Sequence, residues 1–169
     1  MKYHIHISGL KDGEYKYSFD IDKKFFESLI CKERRDCKIK ILAILTQRGN
    51  KLTLSMLVKG KVFDLLCDIC ASKRIVTINN LFNYNIELSS LHTEREDDII
   101  YINGNQKEIE ISNLIYESII LSLPNKNVHS GKVSDKCDTD MISLVKKYSE
   151  KKPVKDPRWK DLDKLKDLI

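Results

Sequence analysis

Apolar and polar residues alternate from the first positions of the chain. Tyr3, Ile5 and Ile7 fall on one side and His4 and His6 on the other, the two-residue period of a half-buried strand. Gly9 and Asp12-Gly13 are turn signals, and Tyr15, Tyr17 and Phe19 resume the alternation, so the opening reads as two strands with a turn between them. Asp22 can cap a short helix through Phe25, Phe26, Leu29 and Ile30. Residues 38–46 and 51–58 are the next two strands, and Arg48-Gly49-Asn50 suits a hairpin between them. The extended pattern continues over 60–67, turns at 67–71, and returns over 74–88 as a strand rich in β-branched and aromatic residues. Residues 99–102 and 108–111 bracket Asn103-Gly104-Asn105, another hairpin signal.

From Ser112 the period changes. Ser112 can cap a helix in which Leu114, Ile115, Ser118, Ile119 and Ser122 follow helical spacing, with Pro124 as its stop. Asp138 or Thr139 can cap a second helix whose apolar residues are Met141, Ile142, Leu144, Val145 and Tyr148. Residues 149–155 are polar, lysine-rich and hold Pro153, the composition of a linker. Asp156 is then a good N-cap with Pro157 at the first helical position, and Trp159, Leu162, Leu165, Leu168 and Ile169 form one stripe. Strands first and helices afterwards predict an α+β fold, a curved and mostly antiparallel sheet with C-terminal helices. The expected organisation is a domain over 1–148, a linker over 149–155 and a terminal helix over 156–169.

Length and composition narrow the class. A chain of 169 residues suits one domain with a sizeable core and no need of disulfides. No stretch approaches the ~18 apolar residues of a membrane span, and the alternating start has no signal-peptide core. Five cysteines, an odd number in a chain with no export signal, read as reduced thiols in the cytoplasm. The net charge of +5 is unevenly spread: residues 76–120 carry two basic and eight acidic side chains, so that segment is at −6 and the remainder at +11. Such asymmetry points to a polyanionic partner more than the total does, the alternative being a solvated mixed surface.

The chemistry is concentrated in cysteines. Cys67-Asp68-Ile69-Cys70 places two thiols on one turn, a spacing that serves a metal ion or a redox pair. A redox pair usually opens a helix, whereas strands flank this one. Zinc needs two further ligands, and His129 and Cys137 are available after Pro124, giving Cys67, Cys70, His129 and Cys137 as a permitted tetrahedral set for a structural zinc. Buried inert thiols are the plainer reading, and Cys31 and Cys37 have no matching partner pair. His4 and His6 share a strand face without an acidic or thiolate neighbour in sequence, which suits a solvent-facing edge. There is no phosphate-binding glycine loop, nucleophile elbow or paired metal-ligand helix motif, so no enzyme and no small-molecule substrate is expected.

Basic residues cluster at Lys32, Arg34, Arg35, Lys38 and Lys40, at Lys73 and Arg74, and from Lys146 to Lys166. These can neutralise phosphates without reading sequence. Tyr15, Tyr17 and Phe19 can stack bases on a sheet, although core packing uses such residues more often. The last stripe, with Arg158, Trp159, Leu162 and Leu165, either packs back on the domain or presents Trp159 to another protein.

Three segments, in this order, resemble the YceD family. They are Cys67-Asp68-Ile69-Cys70; Ile115-Tyr116-Glu117-Ser118-Ile119-Ile120-Leu121-Ser122-Leu123-Pro124 with Val128-His129 and Cys137-Asp138 after it; and Asp156-Pro157-Arg158-Trp159 with Leu162 and Leu165. The opening Ile7-Ser8-Gly9-Leu10-Lys11-Asp12-Gly13 looks like the version in Bacteroidetes-type members. Where the family often has arginine between the cysteines and leucine after them, this chain has Ile69 and Ala71, both sulfurs being kept. The resemblance implies a non-catalytic role in synthesis, processing or stability of large-subunit (23S) ribosomal RNA. The partner is then that RNA or a pre-ribosomal particle, or, for an adaptor, a ribosomal protein or ribonuclease.

Overall fold

The structure, a computed structural model, describes residues 3–29, 36–89, 98–130 and 137–149. Among these are seven strands and three helices: β1 (His4–His6), β2 (Gly13–Ile21), α1 (Lys23–Ser28), β3 (Cys37–Arg48), β4 (Lys51–Leu66), β5 (Lys73–Leu88), β6 (Ile99–Ile102), β7 (Glu108–Glu110), α2 (Ser112–Leu121) and α3 (Thr139–Ser149). The expected terminal helix over 156–169 lies outside the described residues, as do Lys32, Arg34 and Arg35.

The chain divides into two compact units. The first comprises residues 1–66 and 73–127, and the second residues 67–72 and 128–169. In the first, five strands form a sheet in the order β2-β3-β4-β5-β6, antiparallel except where β6 lies parallel to β5. The long strands alternate as their sequences demand. Along β3, Cys37, Ile39, Ile41, Ala43 and Leu45 are buried, while Lys38 and Lys40 between them are exposed. β3 and β4 are joined through Gly49-Asn50, with Gly49 in the left-handed region at φ 56°, which glycine adopts without steric cost. β4 and β3 approach so closely at Gly60 that an added Cβ would overlap the Lys38 carbonyl oxygen and the Ile39 Cα.

One face of this sheet carries the core. Phe25 and Phe26 of α1, Leu114, Ile115 and Ile119 of α2, Ile5 of β1 and Ile109 of β7 join the inward residues of β3, β4 and β5 in a single buried cluster. α1 starts because the Asp22 carboxylate accepts the Lys24 amide at 3.0 Å. Edge-to-face rings continue the packing, Tyr3 on Phe25 at 5.0 Å and Phe25 on Phe26 at 5.3 Å. Ser118 on α2 is fully buried and satisfied, its hydroxyl donating to the Leu114 carbonyl at 2.7 Å and lying 3.2 Å from the Tyr84 hydroxyl. Tyr15, Tyr17 and Phe19 pack against this core, half-buried.

Two sequence expectations change. The Asn103-Gly104-Asn105 turn forms, with Gln106 donating to the Asn103 carbonyl at 2.9 Å, but it makes no hairpin. β6 joins the large sheet, whereas β7 pairs with β1 in a separate two-stranded sheet. β1 is therefore partnered by β7 rather than by the strand that follows it. Ser112 does not cap α2: Ile111 occupies that position, and the Ser112 hydroxyl, in the first turn, donates to Glu110 at 2.6 Å.

Candidate functional site

The second unit is built from a turn and a later segment. Cys67–Ser72 is a tight turn in which the Ala71 amide donates to the Cys67 carbonyl and the Cys67 amide to the Ser72 carbonyl, both at 2.9 Å. Ala71 takes a positive φ of 55°, a conformation that costs a residue with a Cβ roughly 1–2 kcal/mol. That geometry aims the two thiols to one side, and the Ile69 amide points at Cys67 Sγ over 3.5 Å. His129 follows at the start of the later segment. Cys137 precedes α3, where the Asp138 carboxylate accepts the Asp140 amide at 2.8 Å.

The four residues expected to act together do meet. Cys67 Sγ lies 3.5 Å from Cys137 Sγ, His129 Nδ1 lies 3.2 Å from Cys137 Sγ and 3.5 Å from Cys70 Sγ, and all four ligand atoms fall within 4.8 Å of one another. A tetrahedral zinc with Zn–S of about 2.3 Å and Zn–N of about 2.0–2.1 Å places its ligands about 3.6–3.8 Å apart. Three soft sulfurs and one imidazole nitrogen at this spacing fit that ion.

The electrostatics favour a bound cation. Burial pushes the Cys67 thiol up, but the amides of Cys70, Ile69 and His129 and the Cys137 thiol outweigh it and hold the group down to about 6. The Ser72 hydroxyl, 3.0 Å from Cys70 Sγ, draws the Cys70 thiol down as well. Cys137 goes the other way, to about 11, because burial and then the neighbouring sulfurs of Cys67 and Cys70 disfavour a further negative charge. Among the described residues three thiols share one region of space, an arrangement that a divalent cation relieves. Burial reinforces the point. Among the described residues of this unit only Cys67 is buried, at 3% exposure, and α3 buries none of its side chains.

The described basic candidates lie on β3 and β5. Lys38 and Lys40 project into solvent from β3, and Lys73 is exposed at the start of β5. Arg74 is half-buried and donates to Asn127 at 2.9 Å, while the Asn127 amide group donates to the Leu66 carbonyl at 2.6 Å. Arg158, Trp159, Leu162 and Leu165 lie outside the described residues. Ser72 carries no motif of its own, and its hydroxyl is legible only once the turn is closed. Lys59 and Lys61, absent from the basic clusters along the sequence, alternate on β4 as Lys38 and Lys40 do on β3. His4 sits 3.9 Å from Glu108 on the paired strand, an acidic neighbour that lies far away in sequence.

Among the described residues no helix is long and apolar enough to cross a membrane. Compared with known families, residues 54–166 match the model described as large ribosomal RNA subunit accumulation protein YceD, which is most of the chain and contains all four ligand residues. No curated protein and no solved structure matches.

Proposed function

The chain belongs to the YceD family, and from that membership we propose that it acts without catalysis, in the cytoplasm, to sustain accumulation of large-subunit ribosomal RNA. In this reading Cys67, Cys70, His129 and Cys137 hold a structural zinc ion. The observation that carries the metal is the convergence of three thiols and an imidazole in a unit whose described residues bury almost nothing else. Small units without an apolar core are held by metals or disulfides. A closed four-ligand set leaves no position for activated water, which supports a structural use over a catalytic one.

A second reading is an adaptor that binds a protein of the same process and never touches RNA. The apolar side of α3 favours it, since Leu144, Val145 and Tyr148 are exposed. Crosslinking of the tagged protein in its native cell, followed by sequencing of bound RNA, separates the two. Enrichment of large-subunit rRNA is expected, and recovery of proteins without RNA would move the role to the adaptor. For the metal, protein purified under reducing conditions should carry one zinc per chain by elemental analysis. Cys67→Ser combined with Cys137→Ser should carry none, and metal-free wild-type protein would refute the site.

A further inference from the structure

Among the described residues of the first unit, the buried cluster lies on one face of the five-stranded sheet. On the other face the strand register arranges exposed and half-buried side chains in rows. Lys38 of β3 stands directly opposite Lys61 of β4, and one step along Lys40 stands opposite Lys59. All four are exposed. The lysines therefore form a two-by-two block, with Cβ atoms about 4.5–5.5 Å apart across the strands and rows about 7 Å apart along them. The block is only partly compensated. Asp20 stands opposite Lys40 and Asp36 lies two residues before Lys38, while Lys59 and Lys61 face Asn79 and Thr77 on the other side. Among the described residues none of the four makes an ion pair. Like charges set directly opposite on paired strands destabilise a sheet.

The rows beyond the block change character. The next holds Leu42, Leu57 and Leu81, then come Ile44, Ser55 and Asn83, then Thr46, Thr53 and Asn85. The face thus runs from concentrated positive charge, through an apolar band, to hydroxyls and amides.

We propose that this face docks the sugar–phosphate backbone of large-subunit ribosomal RNA, with Lys38, Lys40, Lys59 and Lys61 on the phosphates. The inference rests on the RNA reading above and gives it a surface. Charge complementarity identifies the occupant: a polyanion removes the repulsion between the paired lysines, which a neutral or basic protein surface leaves in place. The strands contribute no aromatic ring to the rows described, so the RNA is held through its backbone rather than through stacked bases, and sequence preference is weak.

The test uses the full chain loaded with zinc and, as probe, an in-vitro transcript of large-subunit rRNA. A variant with Lys38, Lys40, Lys59 and Lys61 all changed to Gln is compared with one in which Lys11, Lys24, Lys107 and Lys126, exposed positions off this sheet, are changed to Gln. Both lose the same net charge. The face variant is expected to bind more than tenfold more weakly at 0.1 M salt. Its log affinity should fall less steeply with log salt, by about 2–3 in slope, roughly 0.7 for each phosphate of a single strand that is no longer neutralised. It should also melt no lower than wild type, because a repulsive block has been removed. An unrelated single-stranded RNA of equal length should compete. Equal weakening in the two variants, or loss of a protein partner with RNA affinity unchanged, overturns the proposal.

In cells, the gene deletion is scored alongside for large-subunit rRNA. If deletion lowers that RNA but the face variant restores it fully, the docking face is wrong and the functional reading stands. If deletion has no effect, the functional reading falls, and the binding comparison still decides the face.

Discussion

Cys37 shows how position along a strand decides the chemistry of a side chain. It is buried at the start of β3, its sulfur 3.8 Å from the Ile21 carbonyl oxygen. Burial first, then the carboxylates of Asp22, Asp36 and Asp64, push its thiol from 9.0 up to about 12. At pH 8 the reactive thiolate is then roughly one molecule in ten thousand. Iodoacetamide at that pH should leave Cys37 unmodified in the folded protein and alkylate it in denaturant, as read by peptide mass mapping. Labelling of the native protein would contradict the burial. The linkage has a definite sign. With the folded value above the unfolded one, the contribution of Cys37 to stability is complete below about pH 9 and is lost as pH rises toward about 12, because the unfolded chain ionises first. In the sequence Cys37 reads as an ordinary thiol. The inward set Cys37, Ile39, Ile41, Ala43 and Leu45 identifies it only if the strand is begun one residue before Lys38.

At the level of elements, the tight crossing of β3 and β4 at Gly60 is the most demanding local feature of the sheet. The atoms that a Cβ would meet are backbone, which cannot swing aside. Gly60→Ala should therefore lower stability by about 1–3 kcal/mol in urea unfolding. Gly104→Ala, where a Cβ meets nothing within 4 Å, should stay within about 0.5 kcal/mol. Equal effects would mean that the crossing is not tight in solution. The elements themselves were legible because each long strand is buried on one side, which writes a two-residue period into it. Their partners were not. The local signal at Asn103-Gly104-Asn105 is a turn signal, and it is obeyed. Which strand β6 and β7 then join is set by distant residues, Asn85 to Leu88 for one and His4 to His6 for the other. The lysine block was hidden for the same reason. Lys38 and Lys40 are far from Lys59 and Lys61 until the Gly49-Asn50 turn brings them into register. The four candidate ligands were readable because cysteine and histidine are scarce and the turn spacing is short.

For the molecule as a whole, the two units differ in what holds them. The first has a continuous apolar cluster from Ile5 to Ile119, while the described part of the second has a thiol–imidazole cluster and an unburied helix. If the proposed zinc is bound, a strong chelator under reducing conditions should therefore act unevenly. Amide hydrogen exchange should rise at 67–72 and 137–149, and protection at 37–62 should persist. Uniform loss, or no change, would mean that the metal does not organise the second unit.

The sequence separation of 59 between Cys70 and His129 also orders events in time. At roughly 5–20 residues per second, the ribosome exposes the first pair of ligands several seconds before the third exists. Asn127, the last residue of the first unit, is made just ahead of His129. On the proposed zinc reading, metal closure is thus a completion step of synthesis: half a site waits while the sheet is made, and the ion would be fully enclosed only after every described strand is present.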